Sequence, residues 1–286
     1  MTYEELRKIQ EQQIRIMDEI HKLCVKKNYR YYMIGGSALG AVRHKGFIPW
    51  DVDIDIAMPR KDYDAFSIEG YKDLPNFLEF HDYKTDKKFG ASHALVTLKN
   101  SSLLFVHDIE KCRNNRFGIF VDILPLDQWP TKNKKKKRQM RQLFLINTLK
   151  EFYQGATRKD DNKLKIVIKN VIQFGLHCIM SYYWLNFLQQ RIVSQYKTED
   201  EGYEWCSMLS HYSLSKLTMD KRIFGKPRLM EFSGRLFFVP EYVEKYLAKL
   251  FGDYMKTPSE DTIKKQMASV YSASWIDLDN SKIEIN

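Results

Sequence analysis

The chain has 286 residues, 44% of them apolar and 29% charged, with a formal net charge of +10. That composition excludes a disordered or fibrous chain and is enough for a sizeable core. The four cysteines, Cys24, Cys112, Cys178 and Cys206, stand far apart, so neither a disulfide scaffold nor a cysteine zinc site is expected, and a reducing compartment is. The start, Met-Thr-Tyr-Glu-Glu, has no apolar signal-peptide core, so secretion is not expected. The charge is local: residues 132–170 hold 13 basic and 3 acidic residues, a net of +10, and the remainder is neutral.

In chain order, apolar residues Leu6, Ile9, Ile16, Ile20 and Leu23 recur at helical spacing and predict a helix over 3–27. Tyr31–Ile34 reads as a short buried strand, broken by Gly35-Gly36-Ser37, with a short helix over Ala38–Arg43. Residues 52–58 alternate apolar and acidic and predict a strand; a helix opens at Pro59. Further strands are expected at 77–83, 93–98, 102–107 and 118–124, with Pro125 and Pro130 closing the unit. The fold class is α/β (α+β), a mixed sheet flanked by helices.

Residues 133–196 read as helical, with Leu145, Leu149, Phe152 and Tyr153 on one face and a second helix from about Leu164. The stretch 170–190 carries no charge over 21 residues, but seven are polar, which favours a buried or interfacial helix over a membrane span. A hairpin turning at Ser233-Gly234 spans 228–239, and a helix runs from Pro240 to Gly252. This divides the chain into a core (1–130), a basic helical region (131–227) and a C-terminal hairpin and helix (228–286) that pack back on the core, as separate units or as one continuous domain.

The chemistry concentrates in residues 34–58. Glycines at 35 and 36 let backbone N–H groups approach a phosphate, and a following helix N-terminus adds partial positive charge. At period two, Asp51, Asp53 and Asp55 project from one strand face, where their mutual repulsion invites a cation. Oxygen-only ligands suit Mg²⁺ or Mn²⁺. A lone Gly-Gly-Ser is usually a turn and an acidic strand usually a solvated face. In this order, the two together put a phosphate cradle beside metal ligands.

The motif resembles the signature of the LicD family, a branch of the nucleotidyltransferase fold that includes phosphocholine transferases and is related to the fukutin group. The matching residues are Gly35-Gly36, Leu39-Gly40, Val42 to Gly46, Ile48 to Asp51, Asp53 to Ile56 and Asp62-Tyr63. Gly118 to Asp127, Val239-Pro240, Phe251 to Met255 and Pro258 also match. Ser37 stands where the family commonly has Thr, Val52 where it has Asp, and Phe251 where it has Tyr. Val52 is expected on the strand face opposite the acids.

The resemblance implies transfer of a phospho-alcohol, phosphocholine first, from a CDP-linked donor such as CDP-choline to a hydroxyl of a lipid-linked anionic glycan (a teichoic acid, lipopolysaccharide or capsule precursor). Such transfer needs alignment and cations on developing charge. Asp53 and Asp55 are assigned to the metal, with Asp51 as a further ligand or behind them. Asp122 is the third catalytic carboxylate, completing the metal site or taking the acceptor proton. Gly35, Gly36 and Ser37 are expected to hold phosphate, with Arg43 and Lys45 as its cationic partners. A quaternary ammonium wants an aromatic cage, but among 17 Tyr, 17 Phe and 5 Trp the sequence singles out none.

Lys132–Arg141 holds seven basic residues and no acid. It is either a solvated helix start or a contact for anionic lipid or glycan. No nucleic-acid motif is present, so nucleic acid is not expected. The expected location is the cytoplasm, peripheral at the inner face of the cell membrane. Two rivals stay open: a nucleotidyltransferase that releases pyrophosphate from a nucleoside triphosphate, and a membrane-associated assembly factor with a vestigial metal site.

Overall fold

In the computed structural model, residues 1–87, 89–106, 118–155, 162–197, 204–276 and 281–285 are described. Cys112, residue 107 of one expected strand and residues 156–161 of the helical stretch fall outside them. The first helix, α1 (Tyr3–Lys27), begins at a capping box: Glu5 N–H donates to the Thr2 hydroxyl and Thr2 N–H to the Glu5 carboxylate. It ends at Asn28, whose φ of +57° is the left-handed cap that asparagine tolerates.

The central sheet is mixed. β1 (Tyr32–Met33) pairs antiparallel with β2 (Asp55–Pro59), and β2 pairs parallel with β6 (Phe120–Trp129). On the other edge of β6 lies β4 (Ala94–Leu98), followed outward by β3 (Leu78–His81). The far end of β6 pairs instead with β7 (Glu204–Cys206), which pairs with β8 (Thr218–Asp220). This one long strand, taking a new partner halfway, curls the sheet. β5 (Ser102–Phe105) lies in a separate small sheet with β11 (Val270–Ile276) and β12 (Lys282–Ile285).

Pro125 does not close β6, as expected from the sequence, but lies inside it. Asp122 N–H donates to Ile54 O, so even-numbered N–H groups face β2 and odd-numbered ones face the opposite edge. At Pro125 that edge is the gap between the end of β4 (paired through Ile123) and the start of β7 (paired from Asp127). A residue without an N–H fits where no acceptor waits.

The short helix starts earlier than expected: α2 spans Gly35–His44 and includes the Gly-Gly-Ser. Gly35 takes φ +54°, a conformation only glycine adopts freely. A Cβ at Gly40 would lie 2.4 Å from the Gly46 carbonyl oxygen. The clash is backbone against Cβ, so Gly40→Ala is expected to cost about 2–4 kcal/mol, read as a lower urea midpoint at unchanged slope.

α3 (Arg60–Ile68) follows β2 directly. The basic stretch opens α4 (Asn133–Tyr153), followed by α5 (Lys163–Ile179) and α6 (Tyr182–Val193). The uncharged stretch is therefore not one helix; α5 and α6 meet at an 85° bend. No single helix among the described residues is long and apolar enough to cross a membrane. α6 buries Tyr182, Leu185 and Val193, whereas α5 buries none of its residues. Towards the C-terminus come two one-turn helices, α7 (Leu214–Leu217) and α8 (Lys221–Phe224). The hairpin β9 (Arg228–Phe232) and β10 (Arg235–Val239) turns at Ser233-Gly234 as expected. α9 (Val243–Phe251) then ends at Gly252, and α10 (Glu260–Met267) follows.

Candidate active site

The acidic run is not a strand throughout. β2 begins only at Asp55, and just before it side chains take the backbone carbonyls of Asp51 and Val52. Gln10 donates to Asp51 O (2.8 Å) and Gln13 to Val52 O (2.8 Å) and Phe120 O (3.3 Å). Asp55 N–H donates to the Ser37 hydroxyl (2.9 Å). The segment is hung between α1 and α2. The three acids still converge, by a different device than the period-two face expected.

The parallel register places Asp122 of β6 directly beside Asp55 of β2. Side chains alternate along β6, so Asp122 faces the acids while Val121 and Ile123 face away. Burial pushes the Asp53 carboxyl well above the usual range, and the charges of Asp55, Asp51 and Asp122 push it further. Asp55 is raised by burial, then by Asp122 and Asp51. Burial raises Asp51 to about 6, against the opposing effect of the Val52 N–H. Four carboxylates thus share one region and repel one another.

The glycines fit this crowd. A Cβ at Gly36 would stand 2.3 Å from Asp51 Oδ2, and one at Gly35 3.2 Å from Asp55 Oδ2. The N-terminus of α2 therefore comes against the acids, which its partial positive charge favours. Gly35 N–H donates to the Tyr246 hydroxyl of α9 at 3.0 Å. Ser37 is buried, its oxygen engaged by Asp55.

The raised carboxyl pKa values have a sign that can be tested. A carboxyl whose folded value lies above its unfolded one stabilises the fold below the ordinary value near 3.8, and that stability is lost as pH rises through the folded value, which is about 6 for Asp51 and raised well above the ordinary value for Asp53 and Asp55. In metal-free buffer, Asp53→Asn is expected to gain in melting temperature over the unmodified chain as pH rises from about 4 to 8. A difference that stays flat or shrinks over that range contradicts the crowding.

On one side of the acids opens a cavity of about 630 Å³. Asp51, Val52, Asp53 and Asp55 form one wall, and Val52 also packs against the core. Trp50, Tyr212, Phe251 and Tyr254 bring ring surfaces, and Arg43, Lys256 and Lys265 bring positive charge. Tyr212 stands edge-on to Phe251, with ring centroids 5.8 Å apart. Its hydroxyl stays protonated, because burial and then the charges of Asp55, Asp51 and Asp53 raise its pKa. On the other side lies a smaller cavity of about 190 Å³, reached by Asp53, Asp55, Asp122, His93, His211 and Tyr246.

Arg43 lines the large cavity but spends hydrogen bonds on Tyr254 O (2.9 Å), Lys256 O (3.4 Å) and His44 Nε2 (2.9 Å). It ties α2 to the segment after α9. Lys45 lies outside both cavities; it caps α2 at φ +53° and its exposed ammonium stands 3.9 Å from Glu231. Several residues escaped the sequence reading. His93 Nε2 stands 2.6 Å from Asp122 Oδ1, and its buried Nδ1 has no hydrogen-bond partner. His211, Tyr212 and Tyr246 arrive from the C-terminal half. Gln10 and Gln13 could have been found, as polar residues interrupting the apolar face of α1.

Among the described residues no three His, Cys, Asp or Glu side chains are arranged around a single ion. The donor set still fits a hard cation, because Mg²⁺ is bound by one or two carboxylates completed by substrate phosphates and water.

With this geometry in place, comparison with known proteins is informative. Residues 28–142, which include α2, the acids, β6 and the start of α4, match the family described as LicD/FKTN/FKRP, nucleotidyltransferase domain. Residues 28–142 thus form a nucleotidyltransferase domain of the LicD/FKTN/FKRP kind. It is also 29% identical over 266 residues to the lipopolysaccharide cholinephosphotransferase LicD of Haemophilus influenzae, covering 90% of this chain and 94% of that protein. Uncharacterized proteins of Rickettsia prowazekii and Rickettsia typhi are each 44% identical over 48 residues, 17% of this chain and 18% and 16% of theirs. The likeness to the LicD protein thus runs well past the family domain, into the C-terminal half that supplies Tyr212, Tyr246 and Tyr254.

Proposed function

We propose that this LicD-family phosphotransferase moves a phospho-alcohol group, phosphocholine first among the candidates, from a CDP-linked donor to a hydroxyl of a cell-surface glycan. The observation that carries the reading is the convergence of Asp51, Asp53, Asp55 and Asp122 beside a cavity that combines cationic and aromatic walls. Asp122 is buried and has His93 beside it, but half-buried Asp51, Asp53 and Asp55 have no basic partner within hydrogen-bond reach among the described residues, and such crowding is costly unless a cation joins them.

Asp53 and Asp55 would hold Mg²⁺ or Mn²⁺, with Asp51 beside them. That ion would supply charge neutralisation for the donor diphosphate and the departing CMP. Lys256 and Lys265 attract the same diphosphate. The rings of Trp50, Tyr212, Phe251 and Tyr254 offer faces to a quaternary ammonium. Asp122 accepts the proton of the acceptor hydroxyl, and His93, 2.6 Å behind it, fixes the orientation of that carboxylate.

The reading is tested by incubating the chain with Mg²⁺ and a panel of donors (CDP-choline, CDP-ribitol, CDP-glycerol and CTP), with and without acceptor glycan, and resolving products by ³¹P NMR. CMP and a new phosphodiester, formed fastest from CDP-choline, are expected. Pyrophosphate from CTP with no CMP from any CDP-linked donor overturns the reading in favour of nucleotidyl transfer.

A further inference from the structure

Outside the site, the most unusual surface is the helical layer α4–α6. Of the 23 large apolar side chains exposed among the described residues, 13 lie on these three helices. On α4, Arg141 lies four residues after Lys137, and Phe144 and Leu145 lie three and four residues after Arg141, so a single stripe is basic at its start and apolar beyond. On α5, Leu164, Val167, Val171 and Phe174 form a second stripe flanked by Lys163 and Lys165. Phe144 is 70% exposed, Phe174 71% and Ile179 80%. In water this surface is unfavourable, and an apolar patch of this extent marks a contact surface.

Charge identifies what it contacts. The three helices hold 11 basic residues and one acid, Glu151, and of the basic residues only Lys150 is buried. We propose that α4 and α5 lie flat on an anionic lipid surface, with the apolar stripes entering the headgroup boundary and the lysines and arginines meeting the phosphates. A crossing is disfavoured by α6. The broken pair α5–α6 has the length and composition of a span, but α6 buries Asn186, Gln189 and Gln190. These side chains hydrogen-bond to Phe89 O, Asn147 Oδ1 and Ser92 O. A helix anchored to protein through that polar face leaves only its partner α5 free to lie in the interface.

The same anchoring connects the surface to the site. Lys150 of α4 donates to Ser92 Oγ, Asn186 Oδ1 and Gln189 Oε1 at 2.6–2.7 Å. Tyr182 of α6 donates to Gly90 O at 3.0 Å. The segment 89–92 so held ends at His93, the partner of Asp122. Hydrogen bonds thus link the helical layer to the segment that ends beside the acids, an arrangement suited to an acceptor that is itself lipid-linked. The proposal rests on the helical layer alone and stands or falls independently of the donor.

The test is co-sedimentation of the full chain with vesicles of phosphatidylcholine, or of phosphatidylcholine mixed with phosphatidylglycerol, at low and high salt. Binding to the mixed vesicles, weakened by salt, and little to the neutral ones is expected. Lys134→Gln/Lys137→Gln/Arg141→Gln together are expected to weaken it about a hundredfold. Phe144→Ser/Phe174→Ser is expected to weaken it at least about tenfold, while Leu236→Ser, an exposed apolar position on β10, leaves it unchanged. Circular dichroism confirms that each variant is folded. Absence of binding to anionic vesicles overturns the proposal, as does equal binding to both vesicle types. A dimer in solution that Phe144→Ser/Phe174→Ser dissolves also overturns it, since the surface then belongs to a second copy.

Discussion

Replacing Asp53 or Asp55 with Asn is expected to lower transfer about a thousandfold or more while leaving the fold intact or stabilised. The two effects have one origin. Both carboxylates are pushed up in pKa by burial and by neighbouring carboxylates, so ionising them costs the fold stability. Asparagine keeps the shape and removes the charge, relieving the repulsion but abolishing any hold on a cation that stabilises the departing nucleotide. A site in which the acids were a solvated face would show neither the loss of activity nor the gain in melting temperature. Near-normal Mg²⁺-dependent transfer by both variants would sink the assignment.

The second large effect falls on the opposite face of β6. Asp127 is 1% exposed and accepts two hydrogen bonds from Arg60, at 2.7 Å each from Nε and Nη2. Arg60 is the first residue of α3, so the pair fastens that helix across the sheet. Asp127 lies five residues after Asp122, an odd number, and therefore faces away from the site. Asp127→Ala leaves the largely buried guanidinium with only the exposed Asp64, 3.3 Å away, as counter-charge, and is expected to cost about 3–5 kcal/mol. Thermal unfolding should show a fall of roughly 6–20 °C in a chain of this size. Removing the partner as well, in Arg60→Leu/Asp127→Leu, should recover much of the loss. A single variant within about 1 kcal/mol of the unmodified chain contradicts this role.

These two predictions separate carboxylates that look alike in the sequence. Asp122 and Asp127 sit in one apolar run, and period two already puts them on different faces. Which face meets the acids follows only from the parallel register with β2. The mixed sheet, α1, the hairpin and the Gly-rich start of the site were legible because each has a local cause: periodicity, a turn or glycine spacing. The strand expected over 52–58 was wrong in its first half, where the Gln10 and Gln13 side chains that meet the backbone come from α1, some forty residues earlier. Pro125 read as a strand end because the sequence cannot show that β6 changes partners there. His93, Tyr212 and Tyr246 were invisible for the same reason: each reaches the acids by tertiary packing. The uncharged stretch 170–190 was legible in composition but not in its break at Met180-Ser181, which leaves α5 exposed and α6 buried.

The central claim is that the acid cluster binds a CDP-linked donor through a divalent cation. Calorimetric titration of CDP-choline into the chain, with Mg²⁺ or with EDTA, tests it most directly, alongside the same titration of Asp53→Asn/Asp55→Asn. Binding that requires Mg²⁺ and disappears in the double variant is predicted. Equal affinity in EDTA, or undiminished Mg²⁺-dependent binding by the double variant, would contradict it.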